Sequence, residues 1–165
     1  MPSRVVTKIG DVFQTKSGIL LQLVAIDYIQ LNSDMIAVYK KQHANDLNKL
    51  HSAPISFYHH TTVSVGVKQG LWQKIGHAPI PDTSKMIFKQ YFDKDIVEIL
   101  HENYLTRLLK YSPPTYWTTW KVGDKKWKRI NNKKGFKLRA ETGDIVHPQD
   151  IMDRINQDLH INKEN

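Results

Sequence analysis

The sequence predicts an α+β fold: a twisted, mainly antiparallel β-sheet or partly open barrel with two or three helices packed on it. Three observations predict it. Short runs of β-branched and aromatic residues alternate with turn residues near the start, one helical stripe covers residues 93–110, and a hairpin and a terminal helix follow. This order of elements is typical of antiparallel pairing rather than of β-α-β crossovers.

The chain opens with a predicted antiparallel meander. Residues 11–13 and 19–25 flank the turn-forming residues 15–18, and a third apolar run covers residues 35–39. The longest apolar run, residues 18–26, is far shorter than the roughly 20 residues that span a bilayer. We therefore expect a buried strand there and no membrane association.

The next segment predicts a short helix and two more strands. Leucines three residues apart favour a helix over residues 44–51, which Pro54 ends. Residues 55–58 form a predicted strand. Residues 61–67 form another predicted strand, because every second residue from 63 to 67 is a valine. These are Val63, Val65 and Val67.

Trp72 lies between residues that bend the chain. Gly70 can adopt a left-handed turn, and Pro79 and Pro81 fix an extended exit. We expect this turn to aim Trp72 into the core, because tryptophan is usually well buried. The alternative is an exposed Trp72 that stacks on a ligand.

The second half contains the clearest helix and hairpin signals. Residues 93–110 carry a 3.6-residue apolar stripe, and residues 115–122 and 126–130 flank the turn Gly123-Asp-Lys. Pro148 can occupy the first position of a terminal helix. Its buried face would carry Ile151, Ile155 and Leu159.

Length and composition predict one domain over residues 1–165, with flexible termini at residues 1–8 and 160–165. The absence of cysteine excludes disulfides, thiolate nucleophiles and cysteine-bound zinc. The N-terminal residues lack the apolar core of a secretory signal, so we expect a cytoplasmic protein.

The net charge of +8 is concentrated in one segment. Residues 110–139 contain ten lysines and arginines and one acid, which leaves 14 basic and 15 acidic residues elsewhere. Tryptophans and tyrosines are interleaved with these cations. Such a pattern can bind single-stranded nucleic acid or anchor an acidic protein, or it can be a core face backed by a solvated lysine face.

Catalytic and cofactor signatures are weak. His59 and His60 are the only adjacent histidines, and neighbours on a strand point to opposite faces, so they cannot share one metal ion. Phosphate-binding glycine loops are missing. We expect no enzyme, no cofactor and no metal, with solvated histidines on a sheet edge. A small RNase using His59 or His60 as general base is the remaining catalytic alternative.

Three short motifs resemble the immunity protein 26 family of bacterial polymorphic toxin systems, of the contact-dependent growth inhibition type. They are GDVF at residues 10–13, GVKQGLWQKIGHAPI at 66–80, and WKVGDKKWKRI leading to HPQDIMDRI. The glycine, tryptophan and proline spacing around Trp72 carries most of the likeness.

The resemblance implies a non-enzymatic protein that binds and neutralises a cognate toxin C-terminal domain. Antidotes to nucleases are often acidic, so the basic segment implies an acidic toxin surface or binding away from a nuclease active site. The alternative is a basic nucleic-acid-binding module that uses the hairpin of residues 115–139. The candidate partner-binding residues are Trp117, Trp127, Lys125, Lys128, Arg129, His59 and His60.

Overall fold

The computed structural model describes residues 5–41, 46–93 and 115–161. The first half of this part of the chain forms a five-stranded antiparallel sheet in the order β4-β3-β2-β1-β5. The predicted meander is confirmed as its centre. The strands are β1 (Asp11–Thr15), β2 (Leu20–Asp27), β3 (Ser33–Tyr39), β4 (Ile55–Thr61) and β5 (Trp72–His77).

A second sheet has four strands in the order β8-β7-β6-β9. Its pairs are antiparallel except for β6 with β9. The predicted hairpin is confirmed as β7 and β8, and Gly123 in its turn has a φ of 84°. The strands are β6 (Ile87–Asp93), β7 (Thr115–Lys121), β8 (Lys128–Ile130) and β9 (Glu141–Thr142). The predicted α+β class is confirmed, in the form of two open sheets rather than a barrel.

Four helices lie within the described residues. A 3-10 helix, Leu47–Ser52, stands where a short helix was predicted, and α3 (Pro148–Ile161) begins at the predicted proline. The other two are α1 (Val63–Lys68) and α2 (Asn132–Lys137). None of these helices is long and apolar enough to cross a membrane. The helix predicted over residues 93–110 lies outside the described residues, apart from Asp93, which ends β6.

The strand predicted over residues 61–67 is wrong, because most of this segment is helix α1. A carboxylate oxygen of Asp34 accepts the backbone N–H of Val63 at 2.9 Å and satisfies a donor at the start of the helix. Gly66 lies flat against the indole ring of Trp72, where a Cβ would collide with the ring. The helix is therefore favoured by one long-range contact, with Asp34, and by the close packing of Gly66 on the nearby Trp72, which together outweigh the alternation of the valines.

Trp72 is buried as predicted, and its indole N–H donates to the carbonyl of Val63 at 3.2 Å. The chain turns into β5 through Gly70, whose φ is 68°. Only glycine adopts this conformation without a steric cost. The indole closes one end of the core between the first sheet and α1.

Two apolar layers hold the fold together, one on each face of the five-stranded sheet. The first lies between the two sheets, where Phe88 and Trp120 pack against side chains such as Val12 and Met35. The second lies between the first sheet and the helices α1 and α3. Its main members are Phe13, Leu21, Leu23, Ile36, Phe57, Val63, Trp72, Ile151 and Ile155. The outer face of the second sheet is thereby left for α2 and solvent.

Candidate binding surface

Three aromatic side chains form a cluster on the outer face of the second sheet. Tyr91 on β6 pairs with Trp117 on β7, and their ring centroids lie 4.8 Å apart. Phe136 of α2 meets Trp117 edge-on at 5.4 Å and Tyr91 at 6.1 Å. Strand alternation produces this arrangement, because Phe88 and Trp120 occupy the inner face of the same two strands.

Helix α2 is held over Trp117 by polar contacts at both of its ends. The side chain of Asn131 accepts the N–H of Lys134 at 2.9 Å, as a typical N-cap does. The ammonium group of Lys89 donates to the carbonyls of Gly135 at 3.1 Å and Leu138 at 2.9 Å. It also lies 4.7 Å from the Trp117 ring centroid, within the range of a cation-π contact.

Gly135 is required at the point where α2 crosses the indole ring. A Cβ at this position would collide with Trp117, so no other residue allows the same approach. Trp117 is consequently half-buried, and its indole N–H has no hydrogen-bond partner among the described residues. The cluster is thus built and rigid before any partner arrives.

Exposed aromatic and basic side chains extend this cluster toward solvent. Phe136 is 69% exposed and Trp127, just before β8, is 50% exposed. Exposed lysines lie on the same strands and helix, and we name the whole set the cationic aromatic surface. It consists of Tyr91, Trp117, Trp127 and Phe136 with Lys89, Lys121, Lys128, Lys133, Lys134 and Lys137.

The structure divides the predicted hairpin residues between two faces. Lys128 pairs with Thr119 and shares the outer face with Trp117. Arg129 pairs with Thr118 on the opposite face, and its guanidinium group lies 4.0 Å from the Tyr116 ring centroid. Lys125 is exposed in the turn, near Trp127 in sequence. Arg129 and Lys125 therefore border the cationic aromatic surface rather than belong to its centre.

The prediction of solvated histidines is wrong. His60 is 0% exposed and His59 is 9% exposed, although β4 is an edge strand as expected. The N–H of Val146 donates to the carbonyl of His60 at 3.0 Å, so residues after β9 cover this edge. Side chains this deeply buried offer a partner little or no contact area, and both histidines lie outside the aromatic and basic cluster described above.

His60 instead belongs to a buried polar network that joins the two sheets. Its Nε2 lies 2.6 Å from Oδ2 of Asp27, and the indole N–H of Trp120 donates to the same oxygen at 2.6 Å. The other carboxylate oxygen of Asp27 accepts the N–H groups of Ile29 and Gln30. Burial raises the pKa of Asp27, but the hydrogen bonds from His60 and Trp120 outweigh this effect and hold it below its usual range.

This network contains a histidine and a carboxylate, but a substrate cannot reach either group. A general base must reach the proton that it abstracts, and here both groups are closed off by Phe88 and Trp120. Burial, the charge of Arg154 and that of His60 lower the pKa of neighbouring His59. Within the described residues, no group of three or more histidines and acids is placed to hold a metal ion.

Sequence reasoning missed Asp27, Tyr91 and Phe136. Residues 87–92 are rich in β-branched and aromatic side chains, which is a strand signal that could have placed Tyr91 beside the hairpin. Asp27 gave no such signal, because its partners lie 33 and 93 positions away along the chain.

Comparison with protein-family models, with curated proteins and with solved structures gives no match for this chain. The resemblance to the immunity protein 26 family therefore stays a prediction that rests on the short motifs.

Proposed function

We propose that this protein is a cytoplasmic immunity protein that binds and neutralises a cognate bacterial toxin domain through the cationic aromatic surface. Neutralisation of the toxin would require no catalytic activity of this chain, because steric and electrostatic blockade of the toxin domain is enough. The observation that carries it is the preorganised aromatic cluster, in which the exposed Phe136 packs on the half-buried Tyr91 and Trp117, surrounded by lysines.

Preorganisation makes this cluster suitable for tight binding. Aromatic side chains supply much contact area, and association loses affinity when interface side chains must first be ordered. The position of Phe136 is supported by Trp117, and α2 is fastened by Lys89 and Asn131. A partner therefore meets a surface that is already in its binding conformation.

The charge of the surface defines the complementary partner. The exposed lysines would steer an acidic surface toward the aromatic cluster and accelerate association at low salt. The exposed side chains of Trp127 and Phe136 supply the apolar anchors, and Lys128 supplies charge on the outer face that carries Trp117. We expect Lys125 and Arg129 to lie at the rim, where charges affect the association rate more than the final affinity.

Co-expression tests this proposal directly. The candidate toxin is the C-terminal domain of any large secreted protein encoded immediately upstream of this chain, and it is expressed in a bacterial host with and without this chain. We expect the domain to stop growth, this chain to restore growth, and the two to co-purify. A domain that is toxic regardless of this chain, or that never co-purifies with it, would contradict the proposal.

Matched variants locate the binding surface in the same assay. Phe136→Ala and Lys128→Glu should abolish growth rescue. Tyr28→Ala and Lys16→Glu should retain it, because these exposed residues lie outside the cationic aromatic surface. Circular dichroism of each variant distinguishes loss of binding from loss of folding.

A nucleic-acid-binding module is the second candidate, favoured by the ten basic residues against one acid in residues 110–139. Aromatic rings can stack on bases while lysines bind phosphates. Fluorescence anisotropy with a labelled single-stranded 12-mer tests this. Binding that weakens steeply with salt and is lost when Lys125, Lys126 and Lys128 become glutamate would favour it, whereas no binding at low salt would exclude it.

A further inference from the structure

A solvent-open pocket of about 770 Å³ lies on the first sheet and involves no residue of the cationic aromatic surface. The turn between β2 and β3, the start of β3 and helix α1 form most of its wall. Three exposed apolar side chains, Val6, Leu31 and Ile145, line it. Apolar side chains gathered around one concave site mark an interaction site more often than scattered ones do.

Leu31 has an unfavourable backbone conformation in this pocket. Leu31 and Asn32 are the only non-glycine residues with positive φ in the described ranges, at 50° and 56°. Asparagine tolerates this region, but leucine does not, and the side chain of Leu31 is 89% exposed. The backbone conformation of Leu31 is therefore unfavourable for folding, and in the free protein the exposed leucine side chain is not buried enough to offset this cost. Strain of this kind is concentrated at functional sites.

Asp34 provides a partly buried carboxylate in the same pocket. One of its oxygens accepts the N–H of Val63, and neither oxygen has a cationic partner among the residues of the described ranges. Burial raises the pKa of Asp34. A carboxylate that has lost part of its water gains more from a counter-cation than an exposed one does.

The charges of the pocket are spread over its length. Lys68 also lines it, five residues after Val63, which corresponds to about 7.5 Å along the axis of α1. Within the described residues Lys68 forms no ion pair with Asp34, so its ammonium group can donate to a peptide carbonyl of the same ligand.

We propose that this pocket binds a short polypeptide segment in which a lysine or arginine, flanked by apolar residues, pairs with Asp34. The methylene groups of a long basic side chain pack well along apolar surface while the charged end reaches a carboxylate. The flanking apolar side chains of the ligand then cover Leu31, Val6 and Ile145. The site is independent of the toxin proposal and can exist without it.

NMR titration of the ¹⁵N-labelled protein tests the pocket with three probes: acetyl-Leu-Lys-Leu-amide, the same peptide with norleucine for lysine, and n-butylammonium. We expect the lysine peptide to shift the amide resonances of Asp34, Thr62 and Ser64. Its affinity should exceed that of the norleucine peptide by about tenfold, because norleucine keeps the four-carbon chain of lysine but lacks the ammonium group.

Two variants complete the test. Asp34→Asn keeps an acceptor for the Val63 N–H and should remove the preference for lysine. Leu31→Asn suits the left-handed turn, so its melting temperature should be unchanged or higher while the lysine peptide binds more weakly. Equal binding of the lysine and norleucine peptides, no shifts at millimolar peptide, or equal affinity for n-butylammonium and the lysine peptide would overturn the proposal.

Discussion

Replacing Asp27 by asparagine tests the polar network that joins the two sheets. The carboxylate of Asp27 accepts four hydrogen bonds, two on each oxygen, and only 5% of the residue is exposed. Asparagine has the same shape but one oxygen and one NH₂ group. One pair of donors therefore faces an NH₂ group, and Asp27→Asn should destabilise the fold without creating a cavity.

The geometry gives the size of the effect. His60 can change its tautomer and accept from the new NH₂ group, but the indole of Trp120 can only donate. At least one hydrogen bond to a charged acceptor is lost, which costs about 1.5–3 kcal/mol, and the remaining bonds lose their charge assistance. We expect a total loss of about 3 kcal/mol. For a chain of this length the melting temperature falls by about 6–12 °C.

Thermal unfolding at neutral pH measures this loss, with Asp46→Asn as the control. Asp46 is an exposed cap of the 3-10 helix, and asparagine caps equally well, so its replacement should change little. Because the folded pKa of Asp27 is depressed, its contribution is complete above the unfolded pKa of about 4. The gap between wild type and Asp27→Asn should shrink below that pH. A melting temperature within 2 °C of wild type would refute the reasoning.

Two further predictions concern the core. Gly66→Ala forces a methyl group into the Trp72 indole, and we expect a loss of about 1–3 kcal/mol in urea unfolding. Gln69→Ala, at the exposed end of the same helix, should have little effect; equal stability of the two variants would contradict the packing. Tyr39→Phe removes the 2.6 Å hydrogen bond to the buried side-chain oxygen of Gln22 and should cost about 1–3 kcal/mol. An unchanged urea midpoint would exclude that role.

Local patterns predicted those elements whose signals lie within a few residues. Alternation and turn residues located the meander and the β7-β8 hairpin, and Pro148 located the start of α3. The bend at Gly70 correctly placed Trp72 in the core. In each case the local preference and the tertiary contacts favour the same conformation.

Prediction failed where a distant side chain decides the outcome. Residues 61–67 alternate like a strand, but Asp34, which is 29 positions from Val63, satisfies a donor at the start of a helix. The packing of Gly66 on Trp72 also favours the helix, and the alternation of the valines does not predict that contact. His59 resembled a solvated edge residue because the segment after β9 that covers β4 lies more than 80 positions away. The hairpin indicated the candidate binding surface, but the packing of α2 on β7 added Phe136, and the register between β7 and β8 placed Arg129 at the rim.

The dissociation constant of the Trp127→Ala, Phe136→Ala double variant for the proposed cognate toxin domain tests the role of the cationic aromatic surface most directly. Isothermal titration calorimetry measures it beside wild type and Tyr28→Ala. Each anchor in such a cluster contributes about 2 kcal/mol or more, so we expect the double variant to bind at least about 100-fold more weakly and Tyr28→Ala to bind like wild type. If wild type binds tightly and the double variant binds within threefold of wild type, the assignment of this surface is contradicted.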